Sequence, residues 1–591
     1  MPGGCCYDAA SVARPRALAF IPTTALALSL LIWGIPELAA QSPGKGSVVP
    51  ELIEKQFETK ANQSKRDKRL DLRLPPVGGA RPAASRTTLF VLKAVELTGA
   101  TAFSTDEMAE SYRSLLGKPV SEADLVHIVE RISESYHRNG YVLSRAVLAP
   151  QDVDNGRLRI TVLEGRIEDI VLEGDGVERF GVRRLLQPIL AQRPLKLETL
   201  ERHLLLVSDT PGARIGDVAI EEIGEATGRF RLIVQLQTWR TWAGFDLDNR
   251  GTPAIGPLQA FMATAFNSPV FGGETLAVNL ATSPDDWREL RFAGLLLDMP
   301  LGSDGARVGL SASHSDIRPG DERRALHGRT RTESYTVSAT IAALRSQTSS
   351  LWLSAIAAVR DEEESNSLGS VYQDHTRAVG VRAAYQQHDP IRGSNYLSLS
   401  LRQGLEILGA SERGDTELSR ADGSGSFTKV NVALTRHQLL SEQWSVVVSG
   451  AAQASSTGLL ASEEFYLGGA QFGRAFRSAD VSGDAGAAAF AEVRFEQRLE
   501  GPIVRSYRLY GFMDTGTVWD RNSGGGRISL SSFGGGLRLA LEDSFAASLE
   551  IAVPMGDYSA SSSDGGPALF FTLSKSFKSC SDNFILFCPA N

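Results

Sequence analysis

The chain has 591 residues, 42% of them hydrophobic and 22% charged, with a formal net charge of −8. A negative balance excludes a general nucleic-acid binder, and the length allows several domains. The ordinary hydrophobic content excludes a bundle of membrane helices, which needs repeated apolar runs of about 20 residues, but leaves open a membrane β-barrel, whose strands are apolar on one face only.

One long apolar run stands at the N-terminus, where Arg14 and Arg16 precede ALAFIPTTALALSLLIWGIPELAAQ and small residues follow at Ala39 and Ala40. Basic residues, an apolar run and a small-residue cleavage site predict a secretory signal over 1–40; a membrane anchor is the competing reading. Cys5 and Cys6 would leave with it, and Cys580 and Cys588 would remain, as suits an oxidising compartment. A polar helix is expected within 41–70. Pro50, Glu51 and Glu54 suit its first turn, and KRDKR lies at the end where the macrodipole favours cations. It has too few apolar residues to pack in a core, so it is conditionally stable or a disordered tail. The Pro- and Gly-rich stretch within 71–87 reads as a mobile linker.

Residues 88–165 show a β-α-α-β-β order. TLFVLKAVELTG is the first strand. Ser104 and Glu107 form a capping box for one helix, and Ser121 caps the next, in which Leu125, Ile128, Val129, Ile132 and Tyr136 share a face. Gly140 stops that helix. YVLSRAVL and RLRITVLEG close the unit, with Leu158, Ile160 and Val162 alternating. The order repeats over 166–237, where Phe230, Leu232, Val234 and Leu236 alternate in the last strand. Neither copy holds a catalytic or metal-ligand cluster. Open sheet edges suit capture of an extended peptide by strand addition; paired spacer domains are the plainer reading.

The stretch GYVLSRAVLAPQDVDNGRLRITVLEGRI resembles the polypeptide-transport-associated (POTRA) domain of two-partner secretion transporters. The shared features are Tyr136, Gly140-Tyr141, Pro150-Gln151, Gly156-x-Leu158 and Val162-x-Glu164-Gly165. The resemblance extends from the polar helix, which is similar to the family's pore plug, to Phe577.

From Thr238 helical periodicity vanishes. Alternating segments begin near Thr238, Pro257, Glu274, Arg288, Ala306, Glu333, Ser350, His375, Asn395, Phe427, Gln443, Gly486, Val504, Arg527, Ser544 and Pro567. They predict a 16-stranded antiparallel transmembrane β-barrel over 238–577. Short connections such as QTSS and EDS alternate with a set that includes long polar ones: 315–332, DEEESNSLGS and GASERGDTELSRADGSGS. That asymmetry suits an outer-membrane barrel better than a large secreted β-protein. Charge cannot cheaply face lipid. Arg508, Tyr510, Phe512, Asp514 and Gly516 are therefore read as facing the lumen, as are Glu492, Arg494 and Glu496.

FYLGGAQFGRAFRSADVSGDAG, 465–486, falls between the eleventh and twelfth strands. In the transporters that the chain resembles, this sixth outer loop folds back into the barrel with a Val-Arg-Gly-aromatic tip. The aligned residues are Gly473, Arg474, Ala475 and Phe476. The family's wall motif on the thirteenth strand is matched by Phe512-x-Asp514-x-Gly516. The resemblance implies that Arg474 reaches in to Asp514, whose carboxylate a guanidinium can bind bidentately, and that Phe476 packs on the wall. Ala475 in place of Gly removes backbone freedom and predicts a different tip; Arg477 and Asp480 are read as local loop contacts.

The implied function is export of a partner exoprotein of haemolysin or adhesin type, bearing an N-terminal secretion domain, across the bacterial outer membrane. The POTRA-like domains would lie in the periplasm. The other partners would be outer-membrane lipid and the barrel-assembly machinery, with no cofactor. An outer-membrane assembly or insertase factor of the same superfamily is the alternative. The eight histidines form no metal or triad pattern. Phe577 suits a terminal aromatic signal, yet the tail 578–591 follows it, with Cys580 and Cys588 able to close a small disulfide loop.

Overall fold

The computed structural model describes Ile53, 85–521, 526–556, 565–579 and 587–588. The predicted signal lies outside the described residues, as do the polar helix apart from Ile53, the linker apart from 85–87 and the Cys580–Cys588 loop apart from 587–588.

The first module departs from the sequence reading at its start. The expected single strand breaks at Leu92 into Thr88–Val91, which pairs with Pro119–Ser121, and Ala94–Thr98, which runs parallel to Arg157–Leu163. The break follows from a change of backbone partner: Leu92 N–H donates to Lys118 and Lys93 N–H to Gly156. YVLSRAVL is also mostly turn, with only Arg145–Val147 in the sheet. Helix Glu122–Arg138 begins at a Ser121–Asp124 capping box and buries Leu125, Ile128, Val129, Ile132 and Tyr136 against Leu158, Ile160 and Val162. The shared motif residues hold this module together. Glu164 accepts from Tyr136 Oη at 2.8 Å and from the Thr101 and Ala102 N–H groups at 2.6 and 2.8 Å. A Cβ on Gly165 would lie 2.4 Å from the Leu143 carbonyl oxygen.

The second module repeats the topology. Strand Arg166–Glu173 runs parallel to the central Arg229–Thr238, and Ala213–Glu222 flanks it antiparallel. Helices Val182–Ala191 and Leu197–Asp209 cover one face, burying Leu186, Ile189, Leu200, Leu204 and Leu205. Leu143 of the first module sits in this second core, and Arg145 bonds Glu222 across the junction at 2.8 Å. The second module also docks on the barrel rim. Asp209 takes both Nε and Nη2 of Arg345 at 2.7 and 2.9 Å, and Arg202 reaches Asp304 and the Ala342 carbonyl oxygen.

Sixteen antiparallel strands, from Thr241–Asp248 to Ala568–Ser579, close into a barrel. Phe587–Cys588 adds a short pairing to the last strand. Strand Gly393–Gly404 shows why the sequence forms a membrane wall: Leu397, Leu399 and Leu401 are exposed, with serines between them facing inward. DEEESNSLGS, expected as a loop, is instead strand. Ser349–Asn366 and Gly369–His388, 18 and 20 residues long, run past the membrane and join through Ser367 and Leu368 alone. Cross-strand pairs neutralise the acidic run, with Arg377 on Asp361 at 2.8 Å and Tyr372 Oη donating to Glu362 at 2.7 Å. The ladder can therefore continue where the outward face meets water. The connection expected over 315–332 shortens to 318–328 for a related reason: Arg329, whose charge read as loop, pairs with Asp316 at 2.6 Å.

Two predictions follow from the module junctions. Burial pushes the Glu222 carboxyl up, but the Arg145 bond and the Gly228 and Thr227 N–H groups outweigh it and hold it below its ordinary 4.5. A depressed carboxylate stabilises at pH above the unfolded value and loses that contribution as pH falls through the folded one. Amide protection at Thr227 and Gly228 should thus be full above pH 4.5 and fall below it; equal protection on both sides would contradict the assignment. At the rim, Asp209→Ala and Arg345→Ala should each speed proteolytic release of the two N-terminal modules, and the double variant should be no faster than either; additive effects would show the pair uncoupled.

Candidate functional site

The connection 456–484 between the eleventh strand, Trp444–Ser455, and the twelfth, Ala485–Arg498, enters the barrel as a hairpin. Phe465–Leu467 pairs with Val481–Gly483, and Gly473, in the left-handed region at φ 74°, turns the tip. Gly516 on the thirteenth strand, Val504–Trp519, makes room for the hairpin: a Cβ there would lie 2.5 Å from the Leu467 side chain.

The tip brings all seven sequence-predicted residues together, but not through the expected bond. Asp514, 1% exposed, accepts the Gly473 N–H at 2.8 Å, the Arg474 N–H at 3.3 Å and the Ser532 hydroxyl at 2.8 Å. The Arg474 guanidinium passes it by and bonds Glu492 on the twelfth strand at 2.7 Å, with Glu550 at 3.6 Å. The reason is geometric. Asp514 is filled by donors from the loop backbone, whereas Glu492 is completely buried in the wall and needs cations; Arg494 and Arg538 also bond it, at 2.6 and 3.0 Å. The Arg474 guanidinium lies over the Phe512 ring at 4.3 Å and the Phe490 ring at 4.9 Å.

Phe476, 1% exposed, packs with Leu467, Phe472, Tyr510, Phe512 and Leu530. Ala475 lies outside the left-handed region, so the expected backbone penalty for replacing glycine does not arise; its N–H donates to Ser532 at 3.3 Å. Asp480, read as a local loop contact, makes an interaction in the structure.

A second set of anchors, not singled out in the sequence, holds the outer base of the loop. Arg420 of the fifth outer connection bonds Glu464 at 2.5 Å and Asp484 at 2.6 Å, and Asp520 lies 3.3 Å away. Glu464, Asp484 and Asp520 converge closely enough to suit a cation, and the guanidinium fills that role. Lys429 and Arg402 bond Glu463 at 2.6 and 2.9 Å. The available signal was three carboxylates, Glu463, Glu464 and Asp484, in a Gly-rich loop, but their partners lie on other strands and on another outer connection and share no local spacing.

A family model described as haemolysin secretion/activation protein ShlB/FhaC/HecB matches residues 228–539, over half of the chain. The chain belongs to that family. A ShlB-type POTRA domain model matches residues 90–165. The heme/hemopexin transporter protein HuxB of Haemophilus influenzae is 23% identical over 541 residues, covering 88% of this chain and 92% of HuxB. The solved structure of CdiB from Escherichia coli superposes with a TM-score of 0.73 at 20% identity, covering 92% of this chain and 100% of CdiB. CdiB from Acinetobacter baumannii gives 0.65 at 17% identity, covering 89% and 98%. The chain is an outer-membrane transporter of two-partner secretion, with its POTRA domains in the periplasm.

The two anchors of Arg474 are separable by double-mutant cycles on single-channel opening in lipid bilayers. Arg474→Ala combined with Glu492→Ala should show coupling of about 1–3 kcal/mol, because removing one charge strands the other in a buried site. Arg474→Ala combined with Asp514→Ala should show weaker coupling, because Asp514 holds main-chain N–H groups that alanine retains. The reverse order would restore the direct pair expected from the sequence.

Proposed function

We propose that this transporter exports an exoprotein of haemolysin or adhesin type through the barrel lumen, with the inward loop as the movable element that opens the path. The observation that carries the reading is a loop tip seated on the inner wall by two kinds of bond, main-chain donors on Asp514 and a guanidinium on Glu492. Together these bonds block the lumen in a way that is reversible without breaking the ladder.

Transport begins in the periplasm, where the N-terminal secretion domain of the partner adds to an open edge of a POTRA sheet. Edges are offered by Ala94–Thr98 and Arg145–Val147 in the first module and by Arg166–Glu173 and Ala213–Glu222 in the second. The second module, fixed to the rim by Asp209–Arg345 and Arg202–Asp304, delivers the chain at a set place. The polar helix acts as a second plug. Ile53, its described residue, is helical and buried with Phe261, Leu290, Phe292 and Ile317. Phe261 faces the lumen, since its neighbour Met262 is exposed on the lipid side. Outer-membrane lipid surrounds the wall, and the barrel-assembly machinery inserts it, as for other barrels of this architecture.

Deleting the gene should remove one large exoprotein from the culture supernatant and leave it in the periplasm, and restoring the gene should return it. Unchanged secretion of every large exoprotein would contradict the reading. Removing 41–70 should raise dye permeability of the outer membrane with the barrel still folded; wild-type permeability would exclude the plug.

A further inference from the structure

The barrel closes where its first strand meets its last. Main-chain pairing across this seam runs from Trp242↔Lys578 to Asp248↔Thr572, about as far as the ladders that flank it, Thr241↔Phe266 to Asp248↔Gln259 and Phe545↔Lys575 to Ala552↔Ala568. Where the seam's backbone pairing stops, a side chain continues it. Asn249 Nδ2 donates to the Leu569 carbonyl at 3.0 Å, and its Oδ1 accepts the Phe571 N–H at 2.8 Å. A side-chain amide carries the donor and acceptor of a peptide unit, so Asn249 acts as one further rung.

The next residue, Arg250, fastens the same corner. Its N–H donates to Asp248 Oδ1 at 3.0 Å, its guanidinium lies over the Phe570 ring at 4.1 Å, and Nη2 bonds Glu550 Oε1 at 2.7 Å. Glu550, on the fifteenth strand, Phe545–Met555, is buried. Its other oxygen, Oε2, accepts the Tyr510 hydroxyl at 2.7 Å and lies 3.6 Å from Arg474 Nη1 of the inward loop. One carboxylate thus faces the seam with one oxygen and the loop with the other.

We propose that Glu550 and Arg250 are positioning residues that couple the seat of the inward loop to the outer end of the seam. With the loop seated, Arg474 and the Tyr510 hydroxyl hold one oxygen of Glu550, which turns the other toward Arg250 and clamps the first strand to the last. When the loop leaves, Glu550 loses that restraint and the clamp loosens. Coupling between two sites is reciprocal, so weakening the seam side must also loosen the loop. The proposal rests on the inward loop being the movable element of the pore, but its test does not use secretion, so the two can fail separately.

Arg250 provides that test, because it touches Asp248, Phe570 and Glu550 on the strands at the seam and bonds no described residue of the loop tip. Intact protein in outer-membrane vesicles is treated with trypsin, and cleavage after Arg474 and Arg477 is followed. Heat-modifiable migration on gels confirms that each barrel is folded. Arg250→Gln should raise the cleavage rate about fivefold, the lower end of ordinary coupling. Glu550→Gln should do the same, and the double variant should be no faster than Glu550→Gln. Should Glu550→Gln fail to fold, Arg250→Lys, which keeps the charge but loses the planar fork, should give an intermediate rate. A folded Arg250→Gln barrel cleaved at the wild-type rate would overturn the proposal, as would additive effects in the double variant.

Discussion

Every backbone N–H and every charge that enters the hydrocarbon layer must find a partner inside the protein. The architecture of this chain follows from that constraint. The sixteen strands satisfy their backbone groups by closing on themselves, and the outward face of the strands carries leucine and valine, while Glu492, Asp514 and Glu550 are buried on the lumen side. A lumen lined with charge is costly unless those charges meet. The inner wall meets this with Glu492 among three arginines and Glu550 between two. One arginine of each set, Arg474, belongs to a loop that is not part of the wall. The wall is therefore electrostatically complete only with the loop in place.

That arrangement explains the tolerance of the loop tip to departures from the family's motif. Two motif positions differ, Gly473 for Val and Ala475 for Gly, and the tip seats on Asp514 and Ser532. The contacts with Asp514 and Ser532 are made by main-chain N–H groups, which any residue but proline supplies. The two positions that match, Arg474 and Phe476, are those whose side chains do the packing and pairing. Asp514 needs no fork opposite it; a turn that aims two N–H groups at one carboxylate is enough.

Much of this was legible in the sequence because barrel strands write their two faces as alternation. The thirteenth strand, with Leu509 and Met513 outward and Tyr510, Phe512 and Asp514 inward, reads directly. So does the alternation of Leu158, Ile160 and Val162 in the first POTRA domain. The readings that failed are of two kinds: where an element begins or ends, as at the break after Val91 and in DEEESNSLGS, and which charges meet. The resemblance pairs Arg474 with Asp514, but Asp514 is filled by main-chain donors and the guanidinium goes to the buried Glu492 on a different strand. DEEESNSLGS looked like a loop because its charge is unpaired within the segment; the arginine and tyrosine that pair with it lie across the hairpin. Arg420 and Glu550 escaped notice for the same reason: their roles arise from residues tens to hundreds of positions away. Alternation is local, and charge complementarity in a closed sheet is not.

The central claim is that the loop tip rests against the wall in the closed transporter and must leave for export. A disulfide tests it directly, since the Ala475 N–H lies 3.3 Å from Ser532 Oγ. Cysteines at positions 475 and 532, in a background with Cys580 and Cys588 changed to serine, should cross-link in the outer membrane. Secretion of the exoprotein should then stop under oxidising conditions and resume on reduction. A cross-link that forms completely while export continues at the wild-type rate would contradict the claim.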